Sequence, residues 1–185
     1  PIRTSIAAIL LALLFGGGCI YYLNDESKNS SSIKIDGRSG DWADIEIQEL
    51  DVTNSNSNID LEAVAINQDS VYLSILTVTK EPLFYSPDGH TLRIFLDTDD
   101  SSETGYFIPG MGADYMIEIY GEMSLNNNKT FQSSVLYRFD ESRDRNDWNA
   151  FLPLTNIDVA SVEDITECRV PLFDLGIQSV DPIKL

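Results

Sequence analysis

Histidine occurs once in this chain, at His90, and that scarcity sets the first boundary on its chemistry. Imidazole is the side chain whose ordinary pKa lies nearest neutrality, and here no serine in a nucleophile elbow accompanies it, so no candidate triad exists. Cysteine is almost as rare. Cys19 sits in a hydrophobic run and Cys168 in a predicted strand, which leaves no disulfide framework, no C-x-x-C and no zinc spacing. Basic residues are the third shortage: 12 Lys and Arg stand against 30 Asp and Glu, a net charge of −18 with a sequence pI near 4.1. Arg3 is the only charge in the first 23 residues, so the remainder carries 11 − 30 = −19. Such a surface repels nucleic acid and anionic lipid headgroups and favours cations and neutral ligands such as sugars. No phosphate-cradling loop is present, because Gly105, Gly110 and Gly112 precede a strand pattern and not a helix. Nothing singles out a glycosidase-like pair among the 30 acids, and the sequence reads as that of a non-enzyme.

What is present begins with apolar residues: 43% of the 185 positions are hydrophobic, enough for one domain with a real core and an appendage. The appendage is Ile6–Leu23, without charge, close to the roughly 20 apolar residues that span a bilayer as a helix. Arg3 before it and Tyr21 and Tyr22 at its far end predict a cytoplasm-in orientation. Polar, Ser-rich 24–32 follows as a linker, so the chain divides into a hydrophobic helix over 1–23, a tether over 24–32 and a domain over 33–185. Three readings of the helix stand open. One is a cleavable secretory signal, and another is a lipoprotein signal ending at Gly17-Gly18-Cys19. The third starts from Pro1 in place of an initiator Met, as after leader cleavage: the segment PIRTSIAAILLALLFGGGCIYYL resembles the N-terminal helix of archaeal type IV pilin-like proteins, the pilins and archaellins. That resemblance implies a helix first inserted in the membrane and then packed against copies of itself as a filament core. Ile6, Ile9, Leu10, Leu13, Leu14 and Ile20 would be its oligomerisation residues, although Pro1, Arg3 and Gly16-Gly17-Gly18 depart from the pattern.

From Ser31 onward the period is two. Short strands are predicted at 33–35, 45–50, 59–66, 71–78, 91–96, 115–120, 131–139, 165–170 and 183–185, punctuated by Gly, Pro, Asn and Asp turns such as Asn126-Asn127-Asn128. The fold class is therefore all-β, an antiparallel β-sandwich of jelly-roll or immunoglobulin-like kind behind one N-terminal helix. A last strand at 183–185 leaves an open edge for further residues or a neighbouring subunit to cover.

Between two strands lies an oxygen-rich loop, Asp97-Thr98-Asp99-Asp100-Ser101-Ser102-Glu103-Thr104-Gly105. Asp97, Asp99, Asp100, Ser101 and Glu103, with Asp114 as a further ligand or a strand cap, fit Ca2+, which takes roughly 6 to 8 oxygens. Carboxylates packed so closely repel unless a cation joins them. Trp42, Trp148 and Tyr106 are the aromatic candidates for stacking on a sugar ring, with core packing the stronger role for Trp42. Asn29 and Asn128 begin N-glycosylation sequons.

The segments IDGRSGDW at 35–42, LDTDDSSETGY at 96–106, GADYMIEIYG at 112–121 and NDWN at 146–149 resemble the family nine carbohydrate-binding modules and their DOMON-type relatives. That resemblance covers about residues 33–185 and implies a β-sandwich on extracellular proteins, commonly stabilised by calcium. Two functions follow as expectations. One is a structural subunit that polymerises through the N-terminal helix and displays the sandwich on the cell surface. The other is a membrane-anchored module that captures an extracellular polysaccharide.

Overall fold

Where apolar and polar residues alternate, the backbone is extended, and the computed structural model, which describes residues 10–15, 18–23, 33–50, 60–123 and 129–177, is built almost wholly of strands. In chain order they are Leu10–Phe15 (β1), Gly18–Leu23 (β2), Ile47–Glu49 (β3), Leu61–Gln68 (β4), Tyr72–Thr79 (β5), His90–Asp97 (β6) and Tyr106–Ile108 (β7). Met111–Ala113 (β8), Tyr115–Met123 (β9), Lys129–Phe139 (β10), Phe151–Asn156 (β11), Asp158–Val162 (β12) and Ile165–Pro171 (β13) complete them. One sheet has the order β11-β10-β9-β6-β1-β2, a second β12-β13-β5-β4-β3, and β7-β8 form a small hairpin. Pairing is antiparallel, and the fold is all-β as expected.

β1 and β2 pair with each other, and Leu10–Leu13 of β1 runs beside Ile94–Asp97 of β6. The helix expected over 1–23 includes residues 1–9 and 16–17, which lie outside the described residues, as do the linker 24–32, the turn at 126–128 and the strand at 183–185. Among the described residues, no helix is long and apolar enough to cross a membrane.

Two packing units are distinguished. The first takes in β1, β2, residues 92–118 and residues 135–155. Its core joins Phe95, Ile108, Met111, Ala113, Met116, Phe139, Ala150 and Phe151, with Tyr106 and Tyr137 against it. Phe95, Tyr106, Phe139 and Phe151 meet at centroid separations of 5.4 to 6.5 Å, the range in which stacked, tilted and edge-on ring pairs gain beyond their burial. Phe95 and Tyr106 of this aromatic floor flank the oxygen-rich loop in the chain.

The second unit comprises 33–50, 60–91, 119–123, 129–134 and 156–177 among the described residues. β4 and β5 are its central strands, buried on both faces over most of their length, which is why their sequences are nearly continuous apolar runs. Ile33, Trp42, Ala65 and Leu76 form one of its clusters. Ile33–Ile35 is not a strand, which corrects the expectation there. The Lys34 N–H goes to Asp41 Oδ2, and just beyond the segment the Asp36 N–H goes to Glu167 Oε2, so side chains take these two backbone donors.

Candidate cation site

The loop between β6 and β7 begins inside the sheet. Asp97 ends β6 and is 2% exposed, whereas Asp99 lies two residues out in the turn and is exposed. Asp114 occupies the single residue between β8 and β9, its N–H donating to Leu96 O at 2.9 Å and its carbonyl accepting from Phe139 N at 2.8 Å. Two backbone bonds to different strands thus hold Asp114 over the end of β6. One carboxylate oxygen from each of Asp97, Asp99 and Asp114 lies within 4.8 Å of the others, so this group could hold a metal ion.

Hydrogen bonds turn these carboxylates toward one another. The Thr98 N–H and hydroxyl both donate to Asp114 Oδ2, at 2.8 and 2.7 Å. Asp97 Oδ1 accepts from the N–H groups of Asp99 and Ser101, each at 3.3 Å. The Thr104 hydroxyl is 3.0 Å from both Asp99 oxygens and from the Ser101 carbonyl. A Cβ at Gly112 would collide with the carbonyl oxygens of Ser101 and Thr104, so glycine is what lets β8 pass so close to the loop.

Burial raises the Asp97 and Asp114 carboxyls above their ordinary value; backbone hydrogen bonds at Asp97 and the Thr98 bonds at Asp114 oppose the shift, and the neighbouring carboxylates add the smallest push upward. A cation at the meeting point would favour the ionised carboxylates and so oppose both causes. The donor set suits a hard ion: its three carboxylates offer oxygen throughout and neither imidazole nor thiolate.

The expected ligands divide. Asp97, Asp99 and Asp114 come together, whereas Asp100 and Glu103 stand outside the group and the Ser101 hydroxyl accepts the Glu103 N–H within the turn. Asp100 adopts φ 55°, a left-handed conformation that bends the loop. Trp42 is fully buried, which removes it from any sugar-stacking role. Tyr106 packs into the aromatic floor, and Trp148 is 40% exposed, with its ring centroid 5.4 Å from the Arg93 guanidinium carbon. Of the expected oligomerisation residues, Leu10, Leu13 and Leu14 fall in β1 and Ile20 in β2; Ile6, Ile9 and the expected glycosylation residues Asn29 and Asn128 lie outside the described residues.

Sequence reasoning passed over Thr98, Thr104, Glu141 and Arg145. The Arg145 guanidinium reaches three carbonyls of the loop, and Glu141 Oε1 accepts the Gly105 N–H at 2.9 Å. A signal was available, since Arg143 and Arg145 are the only basic residues in the acidic run DESRDRND. No protein-family model, curated protein or solved structure matches the chain.

Proposed function

We propose that the chain is a non-enzymatic, extracellular structural subunit: an acidic β-sandwich of jelly-roll or immunoglobulin-like kind, pinned by structural calcium and carried on a hydrophobic N-terminal segment that joins copies of the chain into a cell-surface filament. The convergence of Asp97, Asp99 and Asp114 is the observation that supports the calcium part. A three-carboxylate site with one exposed member is suited to the millimolar calcium outside cells better than to the trace levels inside them. The net charge of −18 suits the same setting, because it keeps displayed domains apart while cations screen them. The filament part rests on the composition of 1–23.

Calcium at about a hundred times its Kd adds about 2.7 kcal/mol to stability. For a domain of about 150 residues that raises Tm by about 5 to 10 °C. Chelator should reverse the rise and Asp99→Ala should abolish it; a Tm indifferent to calcium and chelator sinks the calcium reading. Electron micrographs of native material test the assembly, and full-length chain found only as dispersed membrane monomers would refute the filament.

One observation favours polysaccharide capture as a second reading. Trp148 presents an exposed indole beside Arg93, which is held by Glu118 Oε2 at 2.8 Å, so a stacking face adjoins a charged pair able to bond hydroxyls. Calorimetry with polysaccharide, comparing the native chain with Trp148→Ala, decides it: no binding by the native chain removes this reading.

A further inference from the structure

Resting on the calcium reading above, we propose that Arg145 is the positioning residue of the cation site: it sets calcium affinity without touching the ion, by holding the back of the loop in the shape that brings the carboxylates together.

Arg145 lies forty residues beyond the loop in sequence but is bonded to it along one whole edge of its guanidinium. Nε donates to the Gly105 carbonyl at 2.9 Å, and Nη2 donates to the carbonyls of Ser102 and Thr104 at 2.6 and 2.7 Å. The grip is two-sided. The Arg145 carbonyl accepts the Phe107 N–H at 2.8 Å, and Glu141 on the same segment accepts the Gly105 N–H at 2.9 Å. Both backbone groups of Gly105 are therefore held by the 140–145 segment.

This grip reaches the ligands through Thr104. Its carbonyl is held by Arg145, while its hydroxyl contacts both oxygens of Asp99, the exposed member of the trio. Fixing Thr104 fixes Asp99. Holding three carbonyls at once suits the planar fork of a guanidinium and not the single point of an ammonium.

A positive charge beside a calcium site repels the ion, so if Arg145 acted through charge alone, its removal would tighten binding. A positioning role predicts the opposite sign. Residues that orient metal ligands from behind typically alter affinity by about 10- to 100-fold. Arg143 provides the control, since it carries the same charge two positions away and bonds Asp147 instead of the loop.

The experiment is calcium titration by calorimetry of the full chain in detergent, in native form and as Arg145→Ala, Arg145→Lys, Glu141→Gln and Arg143→Ala, with circular dichroism confirming that each is folded. Affinity should fall about 10- to 100-fold in Arg145→Ala and by less in Arg145→Lys and Glu141→Gln, and should hold or rise slightly in Arg143→Ala. Unchanged or tighter binding by folded Arg145→Ala and Arg145→Lys overturns the positioning role while leaving the calcium site standing. Absence of calcium binding by the native chain overturns both.

Discussion

Glu167 takes the indole N–H of Trp42 on Oε1 and the backbone N–H groups of Asp36, Gly37 and Arg38 on Oε2. This carboxylate is 0% exposed and lies on β13, some 125 to 131 residues from its partners. A run of N–H groups converging on one oxygen is an anion-binding nest, here filled by the protein's own side chain. The turn at 36–38 and the Trp42 core are thereby tied to the second sheet at one point.

Truncating Glu167 to Ala leaves four donors in a buried site without an acceptor. Each unsatisfied group costs about 1 to 3 kcal/mol, and partial entry of water reduces the sum, so a loss of about 3 to 5 kcal/mol is expected in urea unfolding. Glu167→Gln keeps one carbonyl oxygen and should lose less. A loss under about 1 kcal/mol for Glu167→Ala would show that the nest is not what holds the turn.

Gly37 and Gly40 stand three residues apart in the same segment and should respond differently to the same substitution. Gly37 has φ +77°, and a Cβ there would lie 2.8 Å from both Cγ2 and the backbone N of Val162. Gly40 has nothing within 4 Å of the corresponding position. Gly37→Ala should cost about 1 to 3 kcal/mol from strain and overlap, and Gly40→Ala should change stability by about 0.5 kcal/mol or less. Equal losses in thermal melts would contradict this account.

How far the sequence disclosed these features follows from the range of the interactions. β4, β5, β6 and β9 were legible because alternation and apolar runs are local signals. β11 and β12 were not: Leu152-Pro153-Leu154 is exposed throughout, and β12 is only partly buried and shows no period. Asp97 and Asp99 declare themselves as neighbours in an acidic loop, and Asp114 by its place before a strand. Arg145 and Glu167 do not, because their partners lie about 40 and 130 residues away and only the folded chain brings them together. Glu167 even fits the polar phase of a half-exposed strand, although Thr166, Glu167 and Cys168 are all buried.

Cys168 follows Glu167 on β13 and is fully buried, and burial first, then the adjacent carboxylate, pushes its thiol up to about 12. Thiolate is the reactive form, so at pH 8 this cysteine should resist alkylation in the native state and react only on unfolding. In a Cys19→Ser variant, which leaves Cys168 as the sole thiol, labelling should track urea unfolding. Rapid labelling of the native variant at pH 8 would disprove the buried, protonated state.

The 140–149 loop is held by carboxylates of the opposite tendency. Ser142 hydrogen bonds lower the Asp140 pKa, those of Asn146, the backbone N–H foremost, lower that of Asp144, and the Arg143 guanidinium, followed by the Asn149 N–H, lowers that of Asp147. A carboxyl whose folded pKa is depressed adds stability above its unfolded value of about 3.9 and loses it as pH falls through the folded value. The raised Asp97 and Asp114 carboxyls act in the other sense, weakening the cation-free fold as pH rises from about 3.9 through their folded values. Global melting therefore mixes the two, and a local reporter is needed. Trp148 sits on this loop and Trp42 is buried in the other unit, so the exposed indole supplies the red part of the emission. In calcium-free buffer, Trp148 emission should be constant from about pH 7 to pH 5 and shift red below about pH 4 as the loop loosens, with Trp148→Phe removing the change. A red shift complete above about pH 5 would require some other titrating group and would reject the three aspartates as the cause.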